Sequence, residues 1–329
     1  MSDGQGCSST PRGETGFRHE AFFYDGEASF LSGTLDFIRS GLAAEEAVFV
    51  VVSDPKIRML RAHLGGHSAS VTFADMHAVG RNPATIIPAW QDFVERCAHD
   101  GVGFRGIGEP VWPGRTLNEL AECERHEALL NVAFADGPAW SLLCPYDTKA
   151  LSLDAIDIAH LTHPIIGDGC GTRANDHYAG LHDASRMDDP LTPAPEWASA
   201  FTFDLTMLRG TRALVSRYAA DVGVAADKIR DLTLVISELA TNSVMHSGTG
   251  RGTLRLWREH DSLIFEIADN GHVHDPLVGR RRPRLSQPGG RGLWLANHLC
   301  DLVQIRSGGD GTVVRVHVAL NDDCEPSLR

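Results

Sequence analysis

Two patterns of apolar and polar positions divide the chain. In the first half, short apolar runs alternate with segments whose apolar residues recur every three or four positions. Strands are predicted at 19–24, 47–52, 71–73, 104–108 and 140–144, and helices at 27–42, 55–64, 83–99 and 117–134. The continuous β-branched run at 47–52 is typical of a strand covered on both faces. Strands that alternate with helices in this way predict a parallel α/β sheet.

The second half contains one long helical pattern followed by strands. Residues 227–246 include no proline or glycine, and their apolar positions recur at helical spacing, which predicts an amphipathic helix. Glu238 and Asn242 lie four residues apart on one face of this helix, and His246 continues the row. An acid, an amide and an imidazole in line could border a polar cleft. Alone, such a row is more typical of a solvated helix face.

A strand and a tight turn follow the long helix. Residues 263–269 alternate as a strand and end in Asp269-Asn-Gly271, a turn signal. A carboxylate at a strand end can accept a hydrogen bond from an exocyclic amine, which would select adenine over guanine. Gly271 would let the backbone pass close to a base.

Two glycine-rich segments complete the pattern. Gly289, Gly290 and Gly292 precede a predicted helix over 293–299, whose free N–H groups would suit phosphate oxygens. Thr312 follows a Gly-Gly-Asp-Gly turn and opens a strand that we expect to lie near Asp269.

These four segments resemble the ATP-binding boxes of the GHKL superfamily, which includes gyrase and histidine kinases. More narrowly they resemble the anti-sigma regulatory serine kinases, over residues 199–320. The resemblance implies a C-terminal GHKL (Bergerat) α/β sandwich that binds ATP with Mg²⁺, with Glu238 as general base and Asn242 as the magnesium ligand. It implies nucleotide-binding roles for Asn242, His246, Asp269, Gly271, Gly290, Arg291, Gly292, Leu293 and Thr312. Val273 replaces the second glycine of the usual Asp-x-Gly-x-Gly box.

The first half resembles the MEDS sensory domain over about residues 16–178. The matching pieces are 19–24, 37–42, 108–112, 124–131 and 142–147. That family is thought to be related to RecA-type ATPases, which implies an N-terminal RecA-like parallel α/β sheet domain. No Gly-x-x-x-x-Gly-Lys-[Ser/Thr] segment occurs, so this half is expected to be degenerate, without a P-loop and without ATP hydrolysis.

Several residues of this half are candidates for a signal-binding site, because most of them fall at predicted strand ends, where open α/β sheets bind ligands. They are His19, Glu109, Trp112, Cys144, Tyr146 and Asp147. Trp112 and Tyr146 are equally compatible with packing roles in which the polar tip is satisfied. The spacing of His19 and Cys144 is not typical of a metal site, so none is predicted there.

A histidine followed by Thr and Pro near His160 is similar to the phosphoacceptor box of histidine kinases. That box needs an acid beside the histidine and a second long helix, whereas Leu161 follows His160 and glycines interrupt 167–171. His163 before Pro164 is predicted to end the helix.

The composition changes around the middle of the chain. Proline-rich residues 179–198 predict a semi-rigid linker between the sensory domain (16–178) and the GHKL domain (199–320). We expect disordered tails at 1–15 and 321–329. Four arginines within 280–284 are typical of a solvated run, but they could also compensate phosphate charge or contact an acidic partner.

Charge and composition narrow the classes of partner. The formal net charge of -13 argues against nucleic acid or an anionic membrane, which are polyanions. No apolar run reaches the ~18 residues of a membrane span, and residues 1–16 lack a signal-peptide core. Seven scattered cysteines without a Cys-x-x-Cys pattern favour reduced thiols in the cytoplasm.

The cysteine pattern predicts a cytoplasmic protein, and the two resemblances imply an anti-sigma regulatory protein. The resemblance implies that it phosphorylates a STAS-type anti-anti-sigma antagonist, sequesters a sigma factor, and responds to a small-molecule or protein signal in its N-terminal half. It also implies a homodimer. Two alternatives remain: a nucleotide-dependent partner switch without phosphotransfer, and a histidine-kinase-like sensor.

Overall fold

The chain forms two compact units, residues 1–187 and 188–329. A computed structural model describes residues 16–167, 171–180, 189–283 and 290–320. The tails expected at 1–15 and 321–329 lie outside the described residues, as do residues 181–188 of the expected linker. No helix in the described ranges is both long and apolar enough to cross a membrane.

The first unit is built on a seven-stranded sheet with the order β3-β2-β4-β5-β1-β6-β7. Its strands are β1 (Phe17–Tyr24), β2 (Ala47–Val52), β3 (Val71–Asp75), β4 (Phe104–Gly108), β5 (Trp140–Asp147), β6 (Ile165–Gly167) and β7 (Thr172–Ala174). All neighbouring strands are parallel except β6 and β7. The parallel α/β sheet expected from the sequence is confirmed.

Within the described residues, six α-helices accompany this sheet and cover both of its faces. They are α1 (Gly26–Ala43), α2 (Asp54–Leu64), α3 (Met76–Val79), α4 (Ile86–Asp100), α5 (Leu117–Ala133) and α6 (Leu153–Thr162). Apolar residues of α1 and α2 share a core with one face of β1 and β2. On the other face, Phe49 of β2 packs against Trp90 and Phe93 of α4. Strand β2 is therefore buried on both faces, as its β-branched run predicts.

Local signals place the helix boundaries of the first unit. Thr116 caps α5 in a capping box with Glu119, in which each side chain accepts from the backbone N–H of the other residue. The helix expected at 83–99 instead starts with a 3-10 turn, Pro83–Thr85, because Asn82 caps that turn. The short elements α3, β6 and β7 were not predicted.

The second unit is an antiparallel five-stranded sheet with helices on one face. Its order is β11-β12-β10-β9-β8. The strands are β8 (Ser199–Asp204), β9 (Arg251–Glu259), β10 (Ser262–Asp269), β11 (Leu302–Gly308) and β12 (Gly311–Ala319), and the helices are α7 (Leu208–Asp221), α8 (Ala226–His246) and α9 (Arg291–Leu299). Leu263, Phe265 and Ile267 of β10 share one core with the apolar stripe of α8. The result is a two-layer α/β sandwich.

The opposite face of this sheet carries an ion-pair network. Glu266 is 4% exposed and contacts both Arg255 and Arg315. Arg315 also donates a hydrogen bond to the carbonyl of Thr192, and Arg306 donates one to that of Asp189. Part of the segment expected to be a linker therefore lies against the sheet of the second unit.

Candidate functional site

The long helix α8 presents its polar row at the edge of the core. Its apolar stripe, including Val235 and Ile236, is fully buried, which fixes the rotation of the helix. Glu238 and Asn242 are half-buried on the neighbouring face, and His246 is exposed in the last turn. The i, i+4 spacing therefore aligns an acid and an amide along the helix.

The start of α9 lies directly against this polar row. Gly290 precedes the helix with a φ of 79°, a left-handed conformation that favours glycine. A Cβ atom at Gly292 would lie 2.9 Å from both Asn242 Nδ2 and Glu238 Cβ. Only a glycine lets the first turn of α9 approach the acid and the amide so closely. The N–H groups of that turn thus lie beside the two side chains assigned to catalysis and to magnesium.

The ends of β10 and β12 form the other side of the site. Thr312 is paired directly opposite Asp269 in the antiparallel ladder, as expected from the sequence. The N–H of Gly271 donates to Asp269 Oδ1 (2.7 Å), and Thr312 Oγ1 donates to the Gly271 carbonyl (2.7 Å). These bonds fix the turn and the orientation of the Asp269 carboxylate.

Ser307 extends this network, although it is not among the site residues predicted from the sequence. Its Oγ lies 2.9 Å from Thr312 Oγ1 and accepts the N–H of Val273 (2.8 Å). Val273, which stands where the resembling family has glycine, is thereby held through its backbone. Ser307 pairs with Thr312 across β11 and β12, a register that only the folded sheet reveals.

A cavity of about 290 Å³ lies between these elements. It is lined by seven of the predicted nucleotide-binding residues, namely Asn242, His246, Asp269, Gly271, Gly290, Leu293 and Thr312. Ser243, His272, Val273, His274, Asp275 and Val278 also line it. Glu238, Arg291 and Gly292 lie outside the lining, although Gly292 contacts both Glu238 and Asn242. A carboxylate at one end and helix N–H groups at the other fit an adenine nucleotide.

The arginine run differs from a uniformly solvated segment. Arg280 is only 4% exposed, whereas Arg281 and Arg282 are exposed. Arg284, with the first glycine of the glycine-rich segment, Gly289, lies outside the described residues. Burial of Arg280 follows from the turn after Leu277, whose carbonyl accepts the Arg280 N–H.

In the first unit, one group of candidates gathers at the carboxyl edge of the sheet. Glu109 follows β4 and is 5% exposed, and its Oε1 accepts hydrogen bonds from Tyr24 and Lys56. Burial raises the pKa of the Glu109 carboxyl, while Lys56 and Tyr24 oppose that rise. Asp147 ends β5 and caps the following turn. Neither Lys56 nor Tyr24 was predicted to belong to this group.

Trp112 lies in the loop after β4 and has a packing role. Its ring supports the guanidinium of Arg115 at 3.5 Å and meets the edge of His77. Arg115 in turn donates to the carbonyls of Pro110 and Gly80, so the loop is tied together by this stacked pair.

His19 and Cys144 do not lie at strand ends, contrary to expectation. They occupy interior positions of β1 and β5, which are neighbours in the sheet, and their nearest side-chain atoms are 3.4 Å apart. Tyr146 lies two residues beyond Cys144 and is 1% exposed. Burial and the proximity of His163 lower the pKa of His19 to about 4. Burial also raises the pKa of the Cys144 thiol well above its usual value, with Glu127 adding to the rise.

The geometry around His160 differs from a phosphoacceptor helix. His160 lies on the ten-residue helix α6, which ends at Thr162 and is followed at once by β6. Its ring stacks on Phe23 with centroids 4.6 Å apart. The long paired helix that a phosphoacceptor hairpin requires is therefore not formed by α6.

Comparison with known proteins identifies both units. Residues 18–164 match the MEDS family (MEthanogen/methylotroph, DcmR Sensory domain), and residues 201–318 match the histidine kinase-like ATPase domain. The RsbU and RsbW domains of a Mycobacterium tuberculosis protein are 21% identical over 38% of this chain and 33% of that one, with a TM-score of 0.29, too low to support a structural argument.

Curated relatives of the C-terminal unit are serine-protein kinases. The RsbW kinase of Bacillus licheniformis is 32% identical over 116 residues, which are 31% of this chain and 72% of the relative. That of Bacillus velezensis is 30% identical over 115 residues, with the same coverage. The chain therefore belongs to the RsbW serine-protein kinase family through its C-terminal unit, and it carries a MEDS sensory domain in its N-terminal unit.

Proposed function

We propose that this protein is an anti-sigma regulator whose second unit transfers the γ-phosphate of ATP to a serine or threonine of a STAS-type anti-anti-sigma antagonist. The observation that carries this proposal is the close approach of the first turn of α9 to Glu238 and Asn242, where a Cβ at Gly292 would lie 2.9 Å from each side chain. It sets helix N–H groups, an acid and an amide side by side, next to a cavity that ends in Asp269. A phosphoryl-transfer site needs this combination of phosphate binding, metal ligation and proton acceptance.

Different residues along the cavity would bind the base, the phosphates and the metal ion of Mg-ATP. Asp269 would accept a hydrogen bond from the exocyclic amine of adenine. Its carboxylate is oriented by the Gly271 N–H, and Thr312 holds Gly271 through the Gly271 carbonyl. The N–H groups of Arg291, Gly292 and Leu293 would bind phosphate oxygens. Asn242 would hold Mg²⁺, which supplies charge neutralisation for the phosphates. His246 lines the cavity at the end of α8 and would contact the nucleotide.

Glu238 is the proposed general base. Its position one helical turn before Asn242 leaves its carboxylate half-buried beside the start of α9. There it would accept the proton of the attacking hydroxyl and so raise its nucleophilicity.

Partner switching follows from the family. The protein would sequester a sigma factor, and phosphorylation of the antagonist would favour that sequestration. Control would come from the MEDS unit, where Glu109, Tyr146 and Asp147 remain candidates for contact with the signal.

We place the protein in the cytoplasm, where ATP and reduced thiols occur, and we propose that it forms a homodimer. The four described cysteines, Cys97, Cys123, Cys144 and Cys300, are all unbridged.

A transfer assay tests this function. The full chain is incubated with γ-labelled ATP, Mg²⁺ and, in turn, each STAS-domain protein of the organism that encodes it. We expect label on the antagonist, and none when the acceptor Ser or Thr is replaced by Ala. Absence of label from every STAS protein of the same organism, with ATP bound, would reject kinase activity and favour the nucleotide-dependent partner switch. Val273 in place of glycine is the feature of this chain that favours that second function.

A further inference from the structure

Four chemically distinct side chains meet inside the first unit, away from the nucleotide site. They are His19 of β1, Glu127 of α5, Cys144 of β5 and His163, the residue after α6. One ligand atom from each lies within 4.8 Å of every other. Their exposures are 0, 0, 1 and 0%. A thiol, a carboxyl and two imidazoles buried together need a reason, because polar groups are costly to bury unless they are paired.

The hydrogen bonds of His19 fix which of its nitrogens faces the cluster. Asn131 Nδ2 donates to the Thr162 carbonyl (2.8 Å), so Asn131 Oδ1 faces His19 Nδ1 at 3.1 Å. Since Oδ1 can only accept, the proton of the neutral ring sits on Nδ1. His19 Nε2 therefore directs a lone pair into the cluster, 3.0 Å from Glu127 Oε2 and 3.4 Å from the Cys144 thiol.

His163 is fixed in the same way. Its Nδ1 lies 2.9 Å from the Ala159 carbonyl, which can only accept, so Nδ1 carries the proton of the neutral ring. Its Nε2 is buried without a hydrogen-bond partner in the described part of the chain, and it lies 3.3 Å from Glu127 Oε2 without the alignment of a hydrogen bond. Both imidazoles thus direct an Nε2 lone pair into the cluster.

An inward Nε2 with an outward Nδ1–H bound to a carbonyl or amide oxygen is how histidine is held as a metal ligand. Tetrahedral zinc, with bonds of ~2.0 to 2.3 Å, sets its ligand atoms about 3.3 to 3.8 Å apart. In the cluster, separations of 3.3, 3.4 and 3.7 Å fall within this range, the His19–Glu127 separation of 3.0 Å is shorter, and all six lie within 4.8 Å. A single proton can be shared by only two of these four ligand atoms, whereas a metal ion can bind all four.

We propose that His19, Glu127, Cys144 and His163 form a closed tetrahedral site for a zinc-class divalent transition-metal ion in the MEDS unit. The mixed N, O and S donors suit Zn²⁺ and exclude the hard cations Mg²⁺ and Ca²⁺, which take oxygen ligands. Binding replaces the S–H bond of Cys144 by an S–metal bond and releases that proton to solvent. Four protein ligands leave no coordination position for substrate, so the ion ties α5 and the end of α6 to the central strands β1 and β5.

The proposal is independent of kinase activity, and metal content tests it. The full chain, purified without chelator and reconstituted with Zn²⁺, is expected to hold about one zinc per chain by elemental analysis. Cys144→Ser and His163→Ala should lower this content at least several-fold. Cys97→Ser and His160→Gln remove a cysteine and a histidine of the same unit outside the cluster, and they should leave it unchanged. Equal zinc content in all five proteins, or no zinc in the wild type, overturns the site.

Cobalt substitution gives a readout that needs no variant. Co²⁺ added to the metal-free full chain should produce the intense visible bands of tetrahedral cobalt and a near-ultraviolet thiolate-to-cobalt band. Excess Zn²⁺ should abolish both. Only the weak visible bands of six-coordinate cobalt, without the thiolate band, would contradict the proposal, even if the cluster variants fail to fold.

Discussion

Replacing Glu238 by Gln is expected to lower phosphotransfer to the antagonist by about 10²- to 10⁴-fold, the usual contribution of a general base. The amide keeps the size of the side chain and its contact with Gly292, but it cannot accept the hydroxyl proton. Nucleotide affinity should change little, because Glu238 is not among the residues that line the cavity. Single-turnover transfer from labelled ATP and a separate binding isotherm measure the two effects.

The matched control for this variant is Glu259→Gln. Glu259 is an exposed carboxylate at the end of β9, so the same chemical change there should leave transfer intact. Equal rates for Glu238→Gln and the wild type would remove Glu238 from the chemistry. Loss of ATP binding together with transfer would instead assign it to nucleotide contact.

Replacing Asp269 by Ala is expected to weaken ATP binding about 10- to 150-fold. This factor corresponds to the roughly 1.5–3 kcal/mol of a hydrogen bond to a charged group. Asp269 Oδ1 is already occupied by the Gly271 N–H, which orients the carboxylate toward the cavity that it lines. Discrimination between ATP and GTP should be lost in the same variant, since adenine recognition rests on this acceptor.

Asp261→Ala serves as the control for that experiment. Asp261 is exposed in the turn before β10, at the opposite end of the strand from Asp269. Its substitution should change neither affinity nor base preference. An Asp269→Ala protein that binds ATP as tightly as the Asp261→Ala protein would show that the carboxylate does not read the base. Circular dichroism checks that both variants are folded.

The parts of the fold that rest on local periodicity could be predicted from the sequence. Residues 227–246 were expected to form a helix, and α8 spans Ala226–His246 because its apolar stripe packs into the core. The alternation of strands and helices in the first half likewise gave the parallel sheet. The residues Asp269-Asn-Gly271 themselves predict the turn that follows the strand. The position of Asp269 opposite Thr312 follows from the antiparallel pairing of β10 with β12.

The features that depend on tertiary packing could not be predicted in this way. His19 lies 108 residues from Glu127 and 125 from Cys144, so no spacing rule links them. The sequence predicts only that His163 ends a helix, and it does follow α6 directly. Its imidazole also points into the interior, where Nε2 lies 3.3 Å from Glu127 Oε2.

Four separate segments of the second unit are proposed to converge on one adenine nucleotide. Titration calorimetry of the full chain with Mg-ATP measures this most directly. The structure predicts saturable heat with about one nucleotide per chain, and much weaker binding of Mg-GTP under the same conditions. Absence of heat with Mg-ATP, or equal affinities for the two nucleotides, would contradict it.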